Sequence, residues 1–247
     1  MRVATLQTCP VFRDKKANLA NLAKLVIQAA EGGAKLVVMP ELATSGYSYM
    51  NRNEALEDAE VISFEASNTM RVMQALSQKY NVHLVWGMLE RDPGSGKLYN
   101  SQVYLEPGNY YEKYSKVNQW GNDFLWCSPG IANPPVITAE GLGGLRVGLL
   151  ICRDVRDKKD SNWKNFYSSG DADVVCLSSN WGKGGFPSNS WMDFVADNKC
   201  SLIVSNRYGQ EEHNDFGFGG VCIISKSGEV NCEGLVWRQD CIVYGEV

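Results

Sequence analysis

Three stretches of this sequence each place one reactive side chain just past an apolar run. "VGLLICRDVRD" (147–157) carries Cys152 where a buried strand meets a cluster of charge. "VVMPELATSGYS" (37–48) puts Glu41 after a second such strand, and "YYEKYSKVNQW" (110–120) puts Lys116 after a third. A thiol becomes a nucleophile when a base takes its proton or nearby positive charge lowers its pKa. Attack on a carbonyl then needs donors for the oxyanion. A cysteine between a strand and a helix start gains both from backbone N–H groups and from the helix dipole. Ends of neighbouring strands converge in α/β folds, and sites form there. A carboxylate, an ammonium and a thiol are therefore expected to meet. The usual alternative is a cysteine–histidine pair. Of the two histidines, His83 lies in the core-like "VHLVWGM" and His213 in the polar loop "GQEEHNDFG", so that route stays open through His213.

These residues need elements to position them. "RVATLQT" (2–8) reads as a strand. Residues 18–30 read as a helix, with Leu19, Leu22, Val26 and Ala29 at helical spacing and Asp14 as its cap. "KLVVMPE" (35–41) is a short buried strand, 64–80 a second helix and "NVHLVWGML" (81–89) a strand. The turn "RDPGSGK" leads to strands over 98–106 and 110–118. The pattern then restarts. "LRVGLLIC" (145–152) is a strand, 155–169 is weakly helical, "ADVVCLSS" (172–179) is a strand, 188–199 a helix and "SLIVSN" (201–206) a strand. "GFGGVCIIS", "VNCEGLVW" and "DCIVYGEV" are expected to complete a second meander. This predicts an α/β fold: one domain over 1–247, an α-β-β-α four-layer sandwich built from two similar halves that bury their bare sheet faces against each other.

Composition excludes several classes. A formal net charge of −4 offers no basic footprint, so nucleic acid is not an expected partner. No run approaches the roughly 18 apolar residues that span a bilayer. The first residues enter a strand pattern with no signal-peptide architecture, so a cytoplasmic location is expected. None of the eight cysteines forms a C-x-x-C pair, so no zinc site is expected. Cys176, Cys200, Cys222 and Cys241 read as small buried hydrophobes.

The blocks "VVMPELATSGY", "KYSKVNQ…DFLWCSPG" and "VGLLICRDVRD", in this order, resemble the signature blocks of the nitrilase, or carbon–nitrogen hydrolase, superfamily. "ADVVCLSSNW", "SLIVSNRYG" and "GFGGVCIISKSGEV" extend the likeness over nearly the whole chain. The resemblance implies Glu41 as general base, Lys116 as oxyanion stabiliser and Cys152 as nucleophile, acting through a thioester with no metal or organic cofactor. Lys116 is preferred to Lys113 because the family's lysine follows an aromatic-x pair, here Tyr114-Ser115. A fourth acid falls at Asp123, where the family normally has the longer glutamate. Asn118 replaces a frequent histidine, "RDKKDSNW" lacks a usual Pro-Glu pair, and Val195-Ala196-Asp197-Asn198 departs from another family pattern.

Cys152-Arg153-Asp154 is the amidase-like form of the nucleophile block. The resemblance therefore implies a small linear amide or an N-carbamoyl compound as substrate, rather than a nitrile. A catalytically degenerate ligand-binding relative is the non-enzymatic alternative. Tyr47, Trp120, Trp126, Asn180 and Trp181 are candidate pocket residues. Arg153 and Arg156 are candidate partners for a substrate carboxylate, with an ion pair the competing role for Arg156. A homodimer or higher homo-oligomer is also implied.

Overall fold

A computed structural model of the chain describes residues 1–155, 167, 170–182, 184–217 and 219–247. The weak helix expected over 155–169 falls almost wholly outside them, as does Arg156. The chain opens with β1 (Arg2–Thr8), α1 (Lys15–Glu31) and β2 (Leu36–Val38). The Asp14 side chain accepts from Ala17 N at 3.0 Å and caps α1, whose Leu19, Leu22, Leu25, Val26 and Ala29 turn inward. Strand β2 is shorter than expected, because Pro40 has no N–H to extend a ladder. Next come α2 (Arg52–Asp58), α3 (Asn68–Tyr80), β3 (His83–Arg91), β4 (Leu98–Leu105) and β5 (Tyr111–Ser115). Helix α2 has no counterpart in the sequence reading: it buries only Ala55, so it carries no apolar stripe.

The one-turn α4 (Asp123–Trp126) leads to β6 (Val136–Ala139) and β7 (Leu145–Ile151), then a 3₁₀ turn over Cys152–Val155. Strand β8 (Val174–Ser178), α5 (Asn189–Asn198) and β9 (Ser201–Arg207) repeat the strand–helix alternation. The chain ends with β10 (Gln210–Glu211), β11 (Asn214–Asp215), β12 (Cys222–Ile224), β13 (Val230–Asn231) and β14 (Cys241–Glu246).

One sheet runs β5-β4-β3-β2-β1-β14 and the other β13-β12-β9-β8-β7-β6; they join where β1 and β9 pair in parallel at Gln7↔Asn206 and Thr8↔Arg207. Each has three parallel strands at its centre, β1 to β3 and β7 to β9. Val3, Leu36, Val38 and Val85 of the first sheet pack on Val147, Leu149, Val174 and Ile203 of the second. Helices α1 and α3 cover the outside of the first, and Trp191, Phe194 and Val195 of α5 cover the second. The four-layer sandwich is thus present.

One strand is placed differently from expectation. Strand β14 does not complete a second meander. It crosses back and pairs antiparallel with β1, from Arg2↔Glu246 to Gln7↔Cys241. Its pattern explains why. Cys241 and Val243 enter the core between the sheets, while Ile242 and Tyr244 pack under α1. A strand apolar on both faces suits a position covered on both sides.

Candidate active site

Glu41 lies just beyond β2, where the chain continues along β3: Met39 N donates to Val85 O at 2.8 Å and Ala43 N to Gly87 O at 3.1 Å. A Cβ at position 87 would come within 2.6 Å of Glu41 Cα, so only glycine permits this approach. Lys116 follows β5 and is tied by its backbone to Asn100 O and Gly130 N, each at 2.8 Å. A Cβ on Gly130 would sit 2.0 Å from Ser115 O, so the second glycine is equally constrained. These contacts place the Lys116 ammonium 2.8 Å from Glu41 Oε1 and 2.7 Å from Asp123 Oδ2, all three groups fully buried. The Asn100 amide donates to Glu41 Oε1 at 2.7 Å and to Asp123 Oδ1 at 3.2 Å. The shorter acid thus reaches the lysine, because α4 begins at Asp123 itself. Lys113 instead pairs with Glu90.

Cys152 directly follows β7 and turns sharply, with φ 45°. Left-handed backbone at a non-glycine residue stores strain that the surroundings must hold. Asp154 supplies the hold. Its carboxylate accepts from Ile151 N at 3.1 Å, from Asn118 N at 3.0 Å and from Tyr114 OH at 2.9 Å. One buried side chain therefore staples the cysteine turn of the second sheet to the lysine segment of the first. A cavity of about 400 Å³ opens over the sulfur, lined by Trp120, Cys152, Arg153, Asn180, Trp181, Gly182, His213 and Asp215.

A family model described as carbon–nitrogen hydrolase matches residues 2–247. The chain belongs to the carbon–nitrogen hydrolase family. Among curated relatives it is 32% identical to a nitrilase of Pyrococcus abyssi over 62% of this chain and 56% of that one. It is 24% identical to 2-oxoglutaramate amidase of Bacillus subtilis over 91% and 82%, and 28% identical to formamidase of Bacillus cereus over 49% and 35%. The chain thus spans about half the length of the first relative. Among solved structures, an amidase of Nesterenkonia AN1 superposes with a TM-score of 0.81 at 20% identity, covering 100% of this chain and 91% of that one. XC1258 of Xanthomonas campestris, a CN-hydrolase superfamily protein, gives 0.81 at 20% over 99% and 89%. These structures share the sandwich fold.

Burial dominates the electrostatics of this carbon–nitrogen hydrolase. It raises the Glu41 carboxyl; Lys116 pulls it back down and the Asp123 charge adds to the rise. Burial alone would lower the Lys116 ammonium, but the Asp123 and Glu41 charges outweigh it and hold it well above its usual value. The Cys152 thiol is pushed up to about 12, by burial first and then by Glu41, with Lys116, Ser179 and the Asn180 N–H opposing. Glu41 Oε2 is buried without a hydrogen-bond partner. The site thus holds a neutral thiol near a carboxylate oxygen with an unused lone pair.

The candidate wall residues divide. Trp120, Arg153, Asn180 and Trp181 line the cavity with Cys152. Tyr47 lies behind it: its hydroxyl donates to Trp120 O and its ring stacks on Trp120 at 6.4 Å. Trp126 packs edge-on against Tyr49 in a separate core cluster. His83 is buried beside Tyr104, 2.7 Å from its hydroxyl, and burial lowers it to about 4. His213 does reach the cavity wall, with Nε2 3.3 Å from Asn122 Nδ2. Asn100, Asp154 and Ser179 had no role in the sequence reading. The only trace of Asn100 is a polar run inside a strand, "LYNSQVYL", and its inward direction becomes visible only once the register is known.

Proposed function

We propose that this chain is a thiol amidohydrolase that cleaves a non-peptide C–N bond of a small linear amide. The observation that carries the reading is the buried Lys116 ammonium held between Glu41 and Asp123, electrostatically coupled to the Cys152 thiol. Glu41 takes the thiol proton as sulfur bonds to the amide carbon. Lys116 and the backbone N–H of Arg153 hold the oxyanion. The intermediate then collapses: the C–N bond breaks, Glu41 returns its proton to the departing nitrogen, and a thioester remains on Cys152. A water molecule, deprotonated by Glu41, attacks the thioester and releases the acid and the thiol. In water, a carboxylate near 4 is a weak base for a thiol near 8.5. Burial raises Glu41, which makes it a stronger base, and Lys116 stabilises the thiolate as it forms. Asp123 and Asn100 keep Lys116 and Glu41 in place.

The alignment of 2-oxoglutaramate amidase across 91% of this chain supports an amide substrate. Intact-mass spectrometry during turnover of an amide panel tests the reading. A thioester adduct on Cys152, with ammonia released and no carbon dioxide, is the expected result. Carbon dioxide alongside ammonia would instead indicate a carbamoyl substrate. Turnover with no adduct on Cys152 at any time would overturn the covalent route.

A further inference from the structure

Beyond the cavity over Cys152 lies a larger one of about 700 Å³, and the two share Trp181, Gly182 and Asp215 as a common wall. Aromatic rings dominate the larger cavity. Trp181 and Trp191 stand 5.5 Å apart at 60°, Phe186 meets Trp191 edge-on at 6.2 Å, and Phe186 meets Trp237 edge-on at 5.1 Å. The rings are held from behind. Asn206 clamps the Trp181 backbone at both ends, accepting from its N–H at 2.7 Å and donating to its carbonyl at 3.2 Å. Phe186 rests on Gly220, where a Cβ would come within 2.5 Å of the ring. Trp191 is buried, yet its indole Nε1 has no acceptor. Trp237 leaves nearly half its surface exposed. Asp215 and Arg238 also border the cavity, and both are engaged in interactions of their own. The described lining residues therefore select by shape and apolarity more than by charge.

We propose that this aromatic cavity is a second compartment of the substrate site, taking a flat, uncharged ring joined by a short chain to the scissile amide. The assignment of the substrate arm rests on the amidohydrolase reading; the binding itself does not. Edge-on rings leave faces and edges against which a further ring packs in the offset or T-shaped arrangements that aromatic pairs prefer. The two cavities adjoin at Trp181, Gly182 and Asp215, so a ring in one and an amide in the other can belong to one molecule.

Equilibrium binding to the Cys152→Ala protein tests this without turnover. 4-Phenylbutanamide should bind at least ~10-fold tighter than butanamide, the scale of a buried ring–ring contact plus its area. Adding Trp237→Ala, or separately Phe186→Leu, should pull that ratio towards one. Equal or undetectable binding of the two amides, or a ratio that neither variant changes, overturns the compartment. Turnover in the wild type with no adduct on Cys152 would overturn the covalent route alone and leave this result standing.

Discussion

The two sheets have matching strand orders, yet equivalent strand ends carry different chemistry. Strands β1 and β7 each lead the parallel centre of their sheet, and each is followed directly by a cysteine, Cys9 and Cys152. Cys152 turns at φ 45° beside Glu41 and Lys116. Cys9 is followed by Pro10, whose carbonyl accepts from Arg207 at 3.3 Å. Around Cys9 the buried charges serve structure. Arg207 pairs with Glu211 at 2.6 Å, and Glu211 Oε1 accepts from Tyr47 N and Ser48 N at 2.7 and 2.8 Å. That pair pins the segment after Glu41 to the segment after β9. One strand end thus lies beside an ion pair that holds loops, and its counterpart lines a cavity. Topology supplies two equivalent positions; the surrounding side chains set them apart.

The contrast predicts a large asymmetry between the two thiols. Cys152→Ala should reduce ammonia release below roughly one part in a thousand. Cys9→Ala should leave it within about twofold. Comparable losses from both substitutions would erase the distinction.

The two ion-pair environments should also separate in stability. Glu211→Gln leaves the buried Arg207 uncompensated and should cost about 3–5 kcal/mol in urea unfolding. Asp173→Asn, at a half-exposed aspartate paired with Arg146, should cost no more than about 1 kcal/mol. Equal costs would mean that the first pair is not structurally dominant.

A smaller effect is expected at the staple between the sheets. Asp154→Asn removes charged acceptance from three donors and should lower kcat roughly 10- to 100-fold. Burial raises the Asp154 carboxyl from 3.8 to about 7, so below about pH 7 the folded chain holds its proton. Between those values the folded state binds more protons than the unfolded, and stability from this group falls as pH rises, levelling off above about 7. Asp154→Asn should remove that part of the slope. Urea unfolding at pH 5 and pH 8, in both proteins, measures the difference; an unchanged slope would show that Asp154 does not titrate there.

Much of the architecture was legible locally. The Asp14 cap, the inward stripe of α1 and the apolar strand runs are properties of adjacent residues, and they appear where the pattern placed them. Strand β14 shows the limit. Its alternation reveals two covered faces but not the edge it joins, because its partner, β1, lies at the opposite end of the chain. Helix α2 stayed hidden because one buried alanine makes no periodic signal. Asp154 was visible only as part of a motif; its three donors come from two sheets.

The sequence by itself determined which segments become strands and helices, and it carried the ordered blocks that contain Glu41, Lys116 and Cys152, because capping and periodicity act over a few residues. Only the tertiary structure decided that Lys116 meets a carboxylate 75 positions away and that Cys152 lines a cavity. The first outcome depends on the order of strands β2 to β5 within one sheet, and the packing of the second sheet buries those charges, where their interactions are strong.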